Sequence, residues 1–412
     1  MQKLLSVAQM RAADDYTINT LKIPSEELMR RAGLSIADEV AAVASAESEI
    51  LVVCGSGNNG GDGYVCACEL LKRGFRAAVY ACGGRLSADC EREKAKFGGT
   101  YAQTIGGDII VDCIFGTGLS REVTGEYADV INAINASGAY VISADIPSGM
   151  SGDGGLKLGV AVRADKTVTI GELKTGFALG DGYDLCGAVV KKDIGICLNE
   201  GGYACMYGDE DIAKLFPPRP RNSHKGTFGT ATLICGSRQY TGSAVLAVAA
   251  ALKSGCGYVK AVCPDEVKAA IAPNYPQTVF SVQRDLSSRA IAIGMGCGAS
   301  QSLHGDIESL LNEYSGTLII DADGLNSLAQ YGVEILKNKK CGVVLTPHVK
   351  EFSRISGRSI AEILANPVSV AKQFAAEYGV TVVLKSAGTV ITDGQNTVIN
   401  TRGCSALAKA GS

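Results

Sequence analysis

The chain of 412 residues has no tryptophan, only three histidines and no Cys-x-x-Cys pair. Without paired cysteines at zinc spacing and with so little histidine, the usual zinc sites are excluded. No uninterrupted apolar run approaches the roughly 18 residues of a membrane span. The apolar run near Met1–Met10 is too short for a signal peptide, so the expected location is the cytoplasm. Runs of one charge sign are also missing. Thirty-nine basic against 42 acidic residues leave a net charge of −3, and neither nucleic acid nor an anionic membrane is expected as a partner. A small molecule is, and a homo-oligomer stays open.

Glycine is abundant, at 51 residues, and there are 15 cysteines. Many glycines suit an α/β protein rich in tight strand-to-helix turns. The cysteines fall mostly inside apolar strand-like runs, such as Cys54 in Ile-Leu-Val-Val-Cys and Cys113 in Val-Asp-Cys-Ile-Phe, and are expected as reduced, packed thiols. Short β-rich runs alternate with helical patterns throughout, the signature of βαβ units and largely parallel sheets. The first helix is expected to be capped by Ser25, with Leu28, Ala32, Ile36 and Val40 on one face. Strands are expected at 50–54, 77–81, 109–115, 139–144 and 167–170, with a loop over 55–63 and a helix over 64–73. A second series follows the proline-rich stretch 215–223, with strands near 231–235, 258–262, 290–294, 318–321, 343–346, 380–385 and 390–392. Two unrelated α/β domains are expected, 1–208 and 209–412.

Gly55-Ser-Gly-Asn-Asn-Gly-Gly-Asp-Gly63 holds a G-x-G-x-x-G after a strand and before a helix, the setting of a phosphate cradle. The acid expected about 20 residues later in a dinucleotide-binding fold is absent, since Tyr80, Ala81 and Cys82 stand there. Hydride transfer is therefore disfavoured. The loop offers oxygen instead, from Asn58, Asn59 and Asp62. Asp112, Asp145 and Ser148 follow two other strands and should open on the same sheet edge. A hard cation suits such a set; the plain alternative is a group of turn and cap residues.

Five ordered motifs add to this: Met10-Arg-Ala-Ala-Asp14, Ile23-Pro-Ser-Glu-Glu-Leu-Met-Arg-Arg-Ala-Gly33, Gly57-Asn-Asn-Gly-Gly-Asp-Gly63, Val111-Asp-Cys-Ile-Phe-Gly-Thr-Gly-Leu-Ser120 and Asp145-Ile-Pro-Ser-Gly149. Over residues 1–205 the chain resembles the NAD(P)H-hydrate epimerases. The resemblance implies a Rossmann-like three-layer fold that interconverts the R and S forms of hydrated NADH or NADPH (NAD(P)HX) at carbon 6 and holds potassium. It implies a substrate loop of Asn58, Asn59, Gly60, Gly61 and Asp62, completed by Gly116, Thr117, Gly118, Leu119, Ser120, Arg121, Glu122, Tyr127 and Asp145. Asn59, Asp112 and Ser148 match the potassium ligands. Inverting a hemiaminal-like alcohol needs proton transfer, and Asp145 is the expected general acid/base.

In the second half, Gly236–Ser243, Ala292–Gly298, Asp321–Asn326, Thr346–Glu351 and Lys385–Thr389 each place small polar groups at a strand end, where backbone N–H groups can face phosphate. No Walker motif occurs. Alone, His348 reads as a polar loop residue and Lys385 as a surface lysine. Together the motifs resemble the ribokinase-like ADP/ATP-dependent NAD(P)H-hydrate dehydratases from about Asp211 onward. That implies a nucleotide with magnesium, a hydrate site at Ser243, Gly296 and His348, and a nucleotide cradle of Lys385, Ser386, Ala387, Gly388 and Thr389.

Two departures qualify this. Thr-Pro-His-Val-Lys-Glu replaces the family's Thr-Pro-His-Pro-Gly-Glu, and the sequence ends at Ala408-Lys-Ala-Gly-Ser412, before the family's activating aspartate. A C-terminally incomplete dehydratase domain without activity is the resulting expectation, with one flank of its sheet uncovered. Rival readings are a ribokinase-like small-molecule kinase fused to a binding domain, and a non-catalytic scaffold on an epimerase-like fold.

Overall fold

A computed structural model describes residues 1–199 and 201–409. The chain forms two compact units, Gln2–Ala204 and one from Cys205 onward. That boundary falls four residues before the expected one, and the proline-rich stretch lies inside the second unit. Residues 410–412, where the dehydratase domain was expected to be incomplete, lie outside the described residues.

In the first unit, β1 (Gln2–Leu5) leads into α1 (Val7–Asp15) and α2 (Ser25–Ala41). Ser6 and Gln9 close a capping box on α1, Gln9 N–H to Ser6 Oγ at 3.2 Å and Ser6 N–H to Gln9 Oε1 at 3.0 Å. Ser25 is not the cap of α2. Pro24, with φ −60° and ψ 138°, occupies that position without a side-chain bond, and Ser25 opens the helix. Proline's fixed φ gives an extended entry, which frees Ser25 to line the cleft described below.

The strands are β2 (Glu49–Cys54), β3 (Arg76–Ala81), β4 (Thr100–Tyr101), β5 (Ile109–Cys113), β6 (Tyr140–Ala144), β7 (Lys166–Ile170), β8 (Leu173–Lys174) and β9 (Ala188–Lys192). β8 pairs with β1. The others form a parallel sheet in the order β4-β3-β2-β5-β6-β7-β9. Successive residues sort the core. Ile50, Val52 and Cys54 pack with Ile36, Val40, Cys66 and Leu70 on one face; Leu51 and Val53 pack with Val130, Ile131 and Ile134 on the other. From β2 the chain winds toward β4, then resumes on β2's other side at β5. The loops after β2 and β5 therefore part at a topological switch point, where such sheets bind ligands.

The helix after β2, α3, spans Asn58–Lys72 and not 64–73. Its first six residues, Asn-Asn-Gly-Gly-Asp-Gly, have poor helix propensity, but packing decides. A Cβ at Gly60 would collide with the Gly55 carbonyl oxygen, so only glycine lets this turn lie on the loop.

The second unit contains a sheet running Val279–Phe280, Tyr258–Val262, Thr230–Ile234, Ala290–Ile293, Thr317–Ile320, Gly342–Leu345 and Thr381–Leu384, all parallel, and then Thr389–Thr392 and Thr397–Asn400, antiparallel. The expected strands lie within a residue or two of these, and Val279–Phe280 and Thr397–Asn400 went unrecognised. Leu233, Val259 and Ala261 pack with Ala244 and Val248 of the helix Thr241–Lys253. All 15 cysteines are free thiols.

Candidate active site

A cleft of ≈ 830 Å³ opens at the switch point of the first unit. Its walls include Met10, Arg11 and Asp14 of α1, Asn58, Asn59 and Asp62 of α3, the loop from Ile114 through Thr124, Tyr127, Asp145 and Lys174. Met10 and Asp14, four residues apart, share one face of α1. The structure thus gathers the expected Asn58, Asn59, Asp62, Gly116–Glu122, Tyr127 and Asp145. Gly60 and Gly61 are buried in the packing of α3 and do not line the cleft. Asn58 also accepts a bond from Ser87 Oγ, 2.7 Å.

Asp145 sits just after β6 with φ 66°, the left-handed region. Aspartate tolerates this better than most residues, and such strain gathers at functional sites. Its N–H donates to Val168 O at 2.8 Å. Its Oδ1 is ion-paired with Lys174 Nζ, whose side chain is 1% exposed. The same ammonium donates to Thr169 Oγ1 and Ile170 O, both at 2.8 Å, so its three protons are placed. Asp145 Oδ2 faces Gly116, 3.2 Å from where a Cβ there would stand.

Asp112 is fully buried at the end of β5. Its oxygens accept from Ser143 Oγ (2.8 Å), Ser148 N–H (2.9 Å), Ser148 Oγ (2.5 Å) and Ile114 N–H (3.2 Å). Burial pushes its pKa up, and these bonds pull against that. Ser148 Oγ in turn accepts the Phe115 N–H at 2.8 Å, tying two loops together. Beside them Asn59 packs its Cβ and Cγ toward Gly116. Its amide is buried, and neither Oδ1 nor Nδ2 has a hydrogen-bond partner. Buried amides are rarely left so. Tyr127 donates its hydroxyl to Gly83 O and packs on Phe115, centroids 4.8 Å apart. Among the described residues no cluster of three or more His, Cys, Asp or Glu is placed to hold a metal ion. A cation here would sit on an amide, a hydroxyl and a carboxylate.

Asp14 and Lys174 line the cleft without having been expected there, and Asp62 was expected only in the substrate loop. Burial, then the nearby Asp145 charge, raises Asp14 to about 6, with Lys174 opposing. Burial, then Asp145, Asp14 and Asp89, raises Asp62 well above its ordinary value. Only the position of Asp14 within a quoted motif marked it in the sequence. Because its folded pKa lies above the ordinary 3.8, the folded state holds more protons than the unfolded one between those values. Its contribution to stability therefore falls as pH rises toward 6 and stays unfavourable above. Asp14→Asn is expected to melt higher than the wild type above pH 6 and equally below about pH 4, by thermal denaturation across that range.

In the second unit Ser243 and Gly296 meet: a Cβ at Gly296, φ +70°, would collide with Ser243 Oγ, which bonds Tyr240 O at 2.7 Å and Met295 O at 3.3 Å. His348 caps the helix Val349–Ser356, its Nδ1 accepting from Lys350 N–H (3.1 Å) and Glu351 N–H (3.3 Å). It bridges in parallel to Lys385, whose Nζ lies 3.0 Å from Asp321 Oδ1. Asp323 Oδ2 accepts the Gly298 N–H at 2.8 Å. Lys385–Gly388 form the turn into Thr389–Thr392, with Ser386 Oγ on Gly388 O at 2.8 Å and Thr389 Oγ1 on Ser386 O at 3.2 Å. His348→Ala should cost about 1 kcal/mol from the lost cap, measured by denaturant unfolding.

The first unit is an α/β domain with an acid-lined cleft at its switch point, and the second is an α/β domain of strand-end loops. The family described as YjeF-related protein N-terminus matches residues 25–176, and that described as NAD(P)H-hydrate dehydratase matches 231–412. The bifunctional NAD(P)H-hydrate repair enzyme Nnr of Thermofilum pendens is 33% identical over 448 residues, covering 100% of this chain and 85% of that protein. The one from Salinibacter ruber is 30% identical, covering 99% and 85%. An ADP/ATP-dependent NAD(P)H-hydrate dehydratase from Bacillus subtilis, co-crystallised with ATP/Mg²⁺, is 31% identical over 50% of this chain and 76% of that one, at a TM-score of 0.46. The chain belongs to the family of bifunctional NAD(P)H-hydrate repair enzymes. Both of that family's domains, epimerase and dehydratase, are present, so the kinase-fusion and scaffold readings give way.

Proposed function

We propose that the first unit's cleft is the epimerase site and that Asp145 moves the proton of the 6-hydroxyl of NAD(P)HX. The observation that carries this is the Asp145–Lys174 pair. One carboxylate oxygen is held by a buried ammonium while the other faces the Gly116 loop, so the acid is charge-paired on one side and aimed into the cleft on the other. The loop Gly116–Glu122, Asn58, Asn59, Asp62 and Tyr127 surround the substrate. The test is to add R-hydrate to the protein and follow appearance of the S form. A rate at the spontaneous background would overturn the reading.

Potassium is the proposed resident ion, held by Asn59, Asp112 and Ser148. The unpartnered buried amide of Asn59 fits it: Oδ1 toward the ion leaves Nδ2 for a substrate oxygen. The ion's charge would fix the loops and balance nearby acids. Potassium should stabilise the wild type, by about 2.7 kcal/mol at a hundredfold excess over Kd. Asn59→Ala should lose most of that increment, read as melting temperature with and without potassium.

For the second unit we propose ADP or ATP with magnesium cradled by Lys385–Thr389, and the hydrate at Ser243, Gly296 and His348. The Ser243–Gly296 contact and the Lys385–His348 bridge support this. A cytoplasmic setting accords with 15 free thiols.

A further inference from the structure

Asp14, Asp62 and Asp145 line the cleft together with one buried ammonium, Lys174, which is already committed to Asp145. Among the described residues the side chain of Asp14 has no hydrogen bond or ion pair of its own, though it lines the same cleft from α1. The other charges lining the cleft are Arg11, Asp89, Arg121 and Glu122. Arg11 donates to Thr117 O at 3.2 Å. An acid in a cleft short of cations is stable when it carries a proton.

We infer that Asp14 is a second catalytic residue of the epimerase, the acid that protonates ring nitrogen N1 while Asp145 deprotonates the 6-hydroxyl. This rests on the assignment of the cleft made above. Asp145 takes the hydroxyl proton, the C6–O bond becomes a carbonyl and the C6–N1 bond breaks. Its electron pair goes to N1, which takes the proton of Asp14. Rotation about C5–C6 presents the other carbonyl face. N1 then attacks C6, Asp14 recovers the N1 proton, and Asp145 returns its own to the oxygen. Nothing is oxidised or reduced, and both acids end as they began. Two carboxyls in one cleft, one paired with a cation and one desolvated, divide into base and acid in this way. Asp14, lifted to about 6, can give and regain a proton near neutrality.

The test is epimerisation kinetics of Asp14→Asn, Asp14→Glu and Asp62→Asn against the wild type. Asp14→Asn should lower kcat by on the order of 10² with little change in KM, and abolish the fall of rate on the alkaline side. Asp14→Glu should keep that limb at a shifted pH, which decides the matter should the Asn variant fail to fold. In the free protein, ¹³C-carboxyl NMR should show one aspartate titrating near pH 6 that Asp14→Asn removes. Wild-type kcat and pH profile in Asp14→Asn would overturn the assignment, as would loss of the alkaline limb in Asp62→Asn alone. Background activity in the wild type would instead overturn the assignment of the cleft.

Discussion

Asp145→Asn is expected to slow epimerisation by on the order of 10² or more, the usual consequence of removing a general base. The amide keeps the shape of the carboxylate and accepts from Lys174, but it cannot take a proton from the substrate hydroxyl. Binding should survive, because the Gly116–Glu122 loop, Asn58, Asn59 and the other wall residues are unchanged. The loss therefore belongs in kcat, with KM close to the wild type. A second readout follows from the electrostatics. Asp145 is among the charges that raise Asp14, so its neutralisation should bring the Asp14 titration down toward the ordinary range, visible by carboxyl NMR in the free protein. An Asp145→Asn enzyme with wild-type kcat would remove the central assignment, whatever the fate of the other acids.

The central strands were legible because continuous apolar runs such as Ile50–Cys54, buried on both faces, carry the signal themselves. The start of α3 was not. Its Asn-Asn-Gly-Gly-Asp-Gly run has the composition of a loop, and the reason it is helical, the close approach of Gly60 to Gly55, depends on a tertiary contact. The cap at Ser25 failed for a related reason, since the neighbouring proline already fixes the chain's entry. The site divides likewise. Asn59, Asp112, Asp145 and Ser148 follow strands or open a helix at the sheet edge, so position alone brings them to one mouth. Asp14 and Lys174 come from α1 and β8, elements outside that logic, and only folding brings them beside Asp145. The linkage of Ser148 to Phe115 was equally invisible, because no sequence pattern reports a side chain bonding the backbone of another loop.

Lys174→Met should be the most damaging single change to the first unit. The lysine side chain is 1% exposed and all three of its protons are bonded, to Asp145, Thr169 Oγ1 and Ile170 O. Methionine can fill the space of the stem but leaves two acceptors unpaired and a carboxylate without its cation. Removing one partner of a buried ion pair costs roughly 3–5 kcal/mol. In a unit of about 200 residues that is a fall in melting temperature of roughly 10 °C. The pH dependence gives the cause. Without the ammonium, Asp14 loses the charge that opposes its rise, so the folded state keeps that proton to a higher pH than the unfolded chain does, and stability falls further as pH rises. The gap between variant and wild type should therefore be widest near pH 8 and narrow toward pH 5, where Asp14 is protonated. Epimerisation should fall even in the folded fraction, since Asp145 loses the ammonium that fixes its Oδ1. A gap that does not change with pH would mean that Lys174 serves packing alone.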